Sequence, residues 1–149
     1  MMTLERAEEV SAWLASLRGQ IGSFRYRPRQ AYQSSLTTIT VATTAFAYNG
    51  ALQAQGWAAG AQSTLRAGQF LQVGTQLLQI TEAAAFADAS GKVLIEFEPQ
   101  LRINYAVNTP INFVNPAGVF CLTDSAAQAY TLTPDHAPEF GTIVAREQI

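Results

Sequence analysis

Few residues of this 149-residue chain are of a type that could do chemistry. His136 is its single histidine, and a Ser–His–Asp hydrolase would need it beside a nucleophile and an orienting acid. Asp124-Ser125 supplies the right residue types, but no nucleophile-elbow spacing surrounds Ser125, and His136 stands in a stiff Pro134-Asp135-His136-Ala137-Pro138 loop. A glycosidase needs two carboxylates on opposite sides of a bond, whereas the spacing of Glu96 and Glu98 puts both on one strand face. They read as exposed charges that discourage edge pairing. Asp88, Asp124, Asp135 and Glu139 lack the spacing of a calcium loop. The lone cysteine, Cys121, excludes an intrachain disulfide. In the apolar run Val119-Phe120-Cys121-Leu122 it reads as a small buried thiol. The expectation is a chain with no catalytic centre, no metal and no cofactor.

The composition points the same way. Apolar residues make up 48% of the chain and charged residues 13%, about half the usual quarter. Gln, Thr, Ser and Asn must supply the surface polarity, and such a surface is easily buried against copies or partners. A net charge of −2 leaves no basic excess to neutralise a phosphate backbone, which weighs against specific nucleic-acid binding. The densest basic stretch, Arg25-Tyr26-Arg27-Pro28-Arg29, reads as a solvated or subunit-facing loop. No window reaches the apolar length of a membrane span, and residues 1–11 carry charges where a signal peptide has its apolar stretch. No membrane anchor is expected, and the cytoplasm is the expected place of synthesis.

The elements that must position these residues follow from periodicity. Leu4, Ala7, Val10, Trp13, Leu14 and Leu17 fall on one helical stripe, with Glu5, Arg6, Glu8, Glu9 and Ser11 off it. An amphipathic helix over 3–18 is predicted, with Thr3 as N-cap, Arg18 in the last turn and Gly19 as the stop. Gly19-Gln20-Ile21-Gly22 follows a helix C-terminus, so it is a chain reversal and not a phosphate loop. Beyond it the period becomes two, with Phe24 and Tyr26 sharing a strand face until Pro28. Residues 36–44 suit a strand, Asn49-Gly50 a turn, and Gly56-Trp57-Ala58-Ala59-Gly60 a loop anchored by Trp57. A meander is expected over 69–74, 77–81 and 93–98, with Val93, Ile95 and Phe97 inward and Glu96 and Glu98 outward. The Ala-rich stretch 83–87 is a helical turn or a bulged continuation of a strand. Residues 110–114, 119–123, 130–133 and 140–145 add strands, with Asn115-Pro116-Ala117-Gly118 as a turn. One domain over 1–149 is expected, mainly β over 23–145, as an antiparallel sandwich or barrel-like meander with one N-terminal amphipathic helix.

Three stretches, in order, resemble a known family: Leu17-Arg18-Gly19-Gln20-Ile21-Gly22-Ser23-Phe24, Leu65-Arg66-Ala67-Gly68-Gln69-Phe70-Leu71-Gln72-Val73-Gly74, and Asn115-Pro116-Ala117-Gly118-Val119-Phe120-Cys121-Leu122. Between the last two, Glu96-Phe97-Glu98-Pro99-Gln100-Leu101-Arg102 matches a strand, proline and arginine segment. The sequence is similar to the distal tail proteins of long-tailed bacteriophages and prophages. The likeness runs from about Leu4 to Leu122 and rests on the order of its motifs. It implies a structural virion protein forming a hexameric ring that joins the tail tube to hub or tail-fibre proteins. Such a protein is assembled in the bacterial host cytoplasm and resides in the virion tail, where DNA passes through the lumen. Members usually place β segments before the helix; this chain opens almost directly on it, as a shortened member would.

On that reading the assembly-interface candidates are Trp13 and Trp57 as aromatic anchors, each equally well placed inside the subunit's own core. Arg18, Arg25 and Arg27, with Arg29, join them either as donors to carboxylates of a neighbouring subunit or ring, the preferred reading because a tight DNA-binding lumen would hinder ejection, or as residues facing the lumen. The competing readings are another tail ring component, such as a tube or terminator subunit, and a β-barrel ligand-binding module.

Overall fold

The computed structural model describes residues 3–30, 34–123, 130–132, 138–140 and 142–148. The chain is mainly β, with one helix among the described residues, α1 (Leu4–Ser16). The chain gathers into two compact units. Met1–Tyr26 with Val119–Gln148 forms the first and Arg27–Gly118 the second.

In the first unit, the Thr3 hydroxyl accepts from the Arg6 backbone N–H at 3.4 Å and starts α1 as expected. Leu14 and Ala7 are fully buried and Leu17 nearly so, whereas Leu4 and Trp13 remain 48% and 46% exposed. The helical wheel explains this. Leu4 and Trp13 are nine residues apart at about 100° each, so they occupy opposite margins of the stripe, and only its middle is buried. The helix is shorter than expected. Leu17 caps it, and Arg18 lies beyond it with φ +51, followed by Gly19 at +65, so Arg18 is not in the last turn. The reversal closes through the Gly22 N–H donating to the Leu17 carbonyl at 2.7 Å, and a Cβ on Gly22 would run into the Leu17 backbone.

A three-stranded sheet completes this unit: β1 (Ser23–Tyr26), β8 (Gly118–Leu122) and β11 (Ala145–Glu147), with β8 in the centre. β11 runs antiparallel to β8, Ala145 opposite Leu122 and Glu147 opposite Phe120. β9 (Tyr130–Leu132) and β10 (Pro138–Phe140) form a separate antiparallel pair. The strand expected over 140–145 is therefore divided: β10 ends at Phe140, β11 begins at Ala145, and residues 142–144 are not strand. Leu14, Leu17 and Leu122 make the small core, with Val10, Phe24, Phe140 and Ala145 packed on it.

The second unit is a six-stranded antiparallel sheet in the order β2 (Thr40–Val41), β3 (Ala51–Gln55), β6 (Lys92–Glu98), β5 (Gln76–Ala83), β4 (Phe70–Val73), β7 (Ile111–Asn112). Its outer strands meet. Thr40 bridges Pro110, the Ile111 N–H donates to the Ile39 carbonyl at 2.9 Å, and the Val41 N–H donates to the Thr109 carbonyl at 2.9 Å. The sheet thereby closes on itself as a small barrel. The expected meander is its β4–β5–β6 portion, with Val93, Ile95 and Phe97 at most 1% exposed and Glu96 and Glu98 outside. Residues 36–44 contribute only two residues of strand, while β3, which lacks β-branched residues, pairs with β6 along its whole length. Alternating Leu52 and Ala54 supply its inward face, where burial outweighs weak strand propensity.

The Ala-rich stretch is neither a helical turn nor a strand continuation: β5, with a register shift between Ile80 and Glu82, ends at Ala83, and of residues 84–87 only Phe86 makes an isolated bridge, to Gln62. Gly118 already belongs to β8 and lies outside the left-handed region, so the 115–118 segment is a bend leading into a strand and not a glycine-released turn.

Burying a side chain such as Ile95 in this barrel is worth about 1.5–3 kcal/mol, and its neighbour Leu94, 47% exposed, contributes little of this. Ile95→Ala is expected to lower unfolding free energy by about 2–5 kcal/mol and Leu94→Ala by under about 1 kcal/mol, measured by chemical denaturation. Gly74 has φ +59, and a Cβ there would stand 2.9 Å from Cε1 of Tyr105. Gly74→Ala is expected to cost about 1–3 kcal/mol in the same measurement.

Candidate functional site

Exposed Trp13, Tyr26 and Ile143 of the first unit lie together beside its sheet, whereas Leu4, Ile21 and Val144 do not line the same groove. Trp13 meets Phe24 edge to face with ring centroids 5.4 Å apart. Phe24 lies 6.3 Å from Phe120, and Tyr26 meets Phe120 edge to face at 5.7 Å. Phe24 and Tyr26 share a face because they alternate along β1, as their spacing implies. Together with Ile143 and Ala145 these four rings line an open groove of ≈ 390 Å³. Tyr26 is 49% and Ile143 40% exposed, so the groove floor is packed by its own rings while its rim faces water.

The predicted interface residues do not form one cluster. Trp13 walls the aromatic groove. Arg25 is exposed on β1 between Phe24 and Tyr26, where strand alternation turns it to the opposite sheet face. Arg18 is exposed in the reversal after α1, and Arg27 is exposed at the start of the second unit. Trp57 is half-buried against the barrel core, and its indole N–H donates to the Ser63 carbonyl at 3.3 Å. Trp57 thus packs against the core of its own unit and keeps part of its surface open.

Sequence reasoning missed a second aromatic feature. Residues 46–49 form a tight turn closed by the Asn49 N–H and the Phe46 carbonyl at 3.3 Å, with Tyr48 in the left-handed region at φ +67. The Asn49-Gly50 pair pointed to a turn, but the strained position falls one residue earlier. Three other turns of the second unit have the same bond and a left-handed third residue: 58–61 with Gly60, 66–69 with Gly68 and 106–109 with Asn108. Those are the residue types that tolerate the conformation. Tyr48 does not, at a cost of about 1–2 kcal/mol.

The turn is nevertheless firmly held. The Ala47 N–H donates to Asn104 Oδ1 at 2.8 Å, the Tyr48 N–H to the Leu101 carbonyl at 2.6 Å, and the Leu101 N–H to the Asn49 carbonyl at 2.9 Å. Phe46 and Tyr48 project from it, 58% and 79% exposed.

As for chemistry, Glu96 and Glu98 lie exposed on the outer barrel face, with Glu82 directly opposite Glu96. Among the described residues no group of three or more His, Cys, Asp and Glu side chains could hold a metal ion. His136, with Asp124, Ser125 and Asp135, lies outside the described residues, as does the Glu139 side chain. Cys121 is a buried free thiol, as its apolar neighbours imply. No described helix is long and apolar enough to cross a membrane.

The loop that carries Trp57 depends on an acidic turn. The Gly60 N–H reaches the Asp88 carbonyl at 3.3 Å, and a Cβ on Gly91 would collide with the Trp57 carbonyl. The Asp88 carboxylate accepts from the Lys92 N–H at 2.9 Å and the Ser90 N–H at 2.7 Å. The Lys92 bond first, then the Ser90 bond, holds its pKa below the ordinary value, with the Lys92 charge a smaller contribution in the same direction. A depressed carboxyl pKa contributes stability that is complete above the unfolded-state value and lost as pH falls through the folded one. Asp88→Ala is expected to lower Tm at pH 7, and the gap from the wild type should close on acidification below the usual carboxylate range, read by thermal melts across pH. The sequence matches no protein-family model and no curated protein.

Proposed function

We propose that this chain is a structural ring subunit at the distal end of a long-tailed bacteriophage or prophage tail, joining the tail tube to hub or fibre proteins. The observation that carries the reading is where the apolar side chains lie. The barrel is filled by its own residues, Val41, Ala54, Leu71, Val73, Leu78, Val93 and Ile95 all being fully buried, while large aromatic side chains stand outside on both units. A filled interior leaves no lumen for a ligand, which weighs against a ligand-binding barrel.

The motif resemblance supports the same reading at the level of local structure. Its three segments fall on the reversal after α1, on the turn that leads into β4, and on the bend that leads into β8. These are connections whose geometry a family of related folds would share.

For such a subunit, function is geometry. A closed cyclic interface sets the lumen and repeats one surface toward the rings above and below. Sparse charge and exposed aromatic groups suit permanent contacts, since aromatic rings contribute large area at low entropy cost. The exposed guanidiniums of Arg18, Arg25 and Arg27 are placed to donate charge-assisted hydrogen bonds to carboxylates of a neighbour.

The purified protein is expected to run as a hexamer by light scattering and to appear as a ring with a central hole in negative stain. A monomer at high micromolar concentration would contradict the proposal. Arg25→Ala with Arg27→Ala should raise the dissociation constant about tenfold or more, the worth of a charge-assisted contact of about 1.5–3 kcal/mol. Unchanged assembly of that variant would remove these arginines from the contact.

A further inference from the structure

We propose that the opening between residues 29–30 and the 66–69 turn binds a phosphate-type oxyanion. All of its lining belongs to the second unit, so the site stands or falls apart from the ring reading. The opening holds ≈ 350 Å³, within the range of about 300–1,000 Å³ typical of small-ligand sites. The guanidiniums of Arg29 and Arg66 line it, and no carboxylate does.

The way two amides are fixed makes this lining a donor surface. Gln30 Oε1 accepts from the Phe70 N–H at 2.9 Å, and Gln69 Oε1 accepts from the Arg66 N–H at 2.7 Å. An amide whose oxygen is held by a backbone N–H presents its NH2 to whatever stands beyond it. Neither Nε2 has a hydrogen-bond partner among the described residues. Gln69 is only 6% exposed, yet its Nε2 is not sealed from water. This nearly buried side chain therefore offers its free donor at the opening it lines.

Carbonyls of the turn that would repel an anion are already engaged. The Arg66 carbonyl accepts from the Gln69 N–H at 3.2 Å, the Gln69 carbonyl from the Ile80 N–H at 2.8 Å, and the Gly68 carbonyl from Gln79 Nε2 at 3.2 Å. Gln79 Oε1 remains as an acceptor on an exposed side chain. Nothing stands within 4 Å of where a Cβ on Gly68 would lie, so a ligand can approach the backbone there. Arg29 is exposed, with no partner for its side chain among the described residues. Its segment is held by buried Pro28 on one side and by the Gln30–Phe70 bond on the other.

The ligand class follows from this inventory. Two guanidinium forks and two amide donors call for several acceptor oxygens and more than a single negative charge. A phosphate monoester supplies about −1.5 to −2 charge at neutral pH and three strong acceptor oxygens. A carboxylate supplies one charge and two oxygens.

The test titrates inorganic phosphate into the full chain at constant ionic strength, reading calorimetry and the side-chain amide resonances of Gln30 and Gln69. Saturable binding that shifts both amides is expected, with acetate about tenfold weaker or more. Arg29→Gln removes one charge, and Gln30→Glu keeps the acceptor for the Phe70 N–H while replacing the donor by a negative oxygen. Each should weaken binding about tenfold or more. Arg146→Gln, the same loss of charge at an exposed position of the first unit, should leave binding unchanged. If Gln30→Glu fails to fold, Arg29→Gln carries the test, since no described contact depends on that side chain. Phosphoserine distinguishes the sources: binding at least as tight as that of inorganic phosphate supports the site and assigns a phosphate carried by a larger molecule, and weaker binding supports it and assigns the free ion. Absence of saturable binding by both probes, acetate as tight as phosphate, wild-type affinity in Arg29→Gln, or an equal loss in Arg146→Gln overturns the site.

Discussion

The second unit depends on the closure between residues 39–41 and 109–111. Without the bonds from Ile111 to Ile39 and from Val41 to Thr109, β2 and β7 would be the exposed edges of an open sheet, and edges of that kind recruit other chains indiscriminately. Closure satisfies their backbone groups and turns one face of every strand inward. Only then can Val41, Leu71, Leu78 and Ile95 share one core. β2 and β7 are two residues long each, so they contribute little to the wall and matter mainly as the seam.

Once the seam is made, the barrel fixes the loops at its ends. The bonds that clip residues 46–49 come from Leu101 and Asn104, just after β6. The same post-β6 segment is tied from inside by Gln76, fully buried, whose amide donates to the Gln100 carbonyl at 2.8 Å and accepts from the Arg102 N–H at 3.1 Å. A buried amide with both ends satisfied is a specific positioning device, because leaving either end unpaired would cost about 1–3 kcal/mol. Core packing, the loop after β6 and the strained turn thus form one chain of dependence, from the interior to the exposed aromatic pair.

Much of this was legible in the sequence where a physical period dominates. The 3.6-residue stripe marked α1 and the alternation of Val93, Ile95 and Phe97 marked β6, because each pattern states which side is buried. Phe24 and Tyr26 were readable as one face for the same reason. β3 was not, since Ala51-Leu52-Gln53-Ala54-Gln55 carries no strong strand formers and owes its conformation to pairing with β6. Residues 36–44 misled in the other direction: their Thr, Ile and Val content suggests a strand, yet only the seam needs two of them. Tyr48 was hidden altogether, since propensity assigns left-handed turn positions to Gly and Asn, and Asn49-Gly50 stood close enough to claim the turn. No residue-level signal marks a position at which tertiary bonds override preference.

The central claim is that function resides on the outer aromatic surfaces and not inside the barrel. Hydrogen–deuterium exchange of the same protein at low and high concentration tests it most directly. Amides of β3 to β6 should exchange slowly and identically at both concentrations, while those of residues 13–26 and 45–49 should slow only when the protein is concentrated. Exchange that is independent of concentration throughout, or protection gained only elsewhere on the chain, would contradict the account.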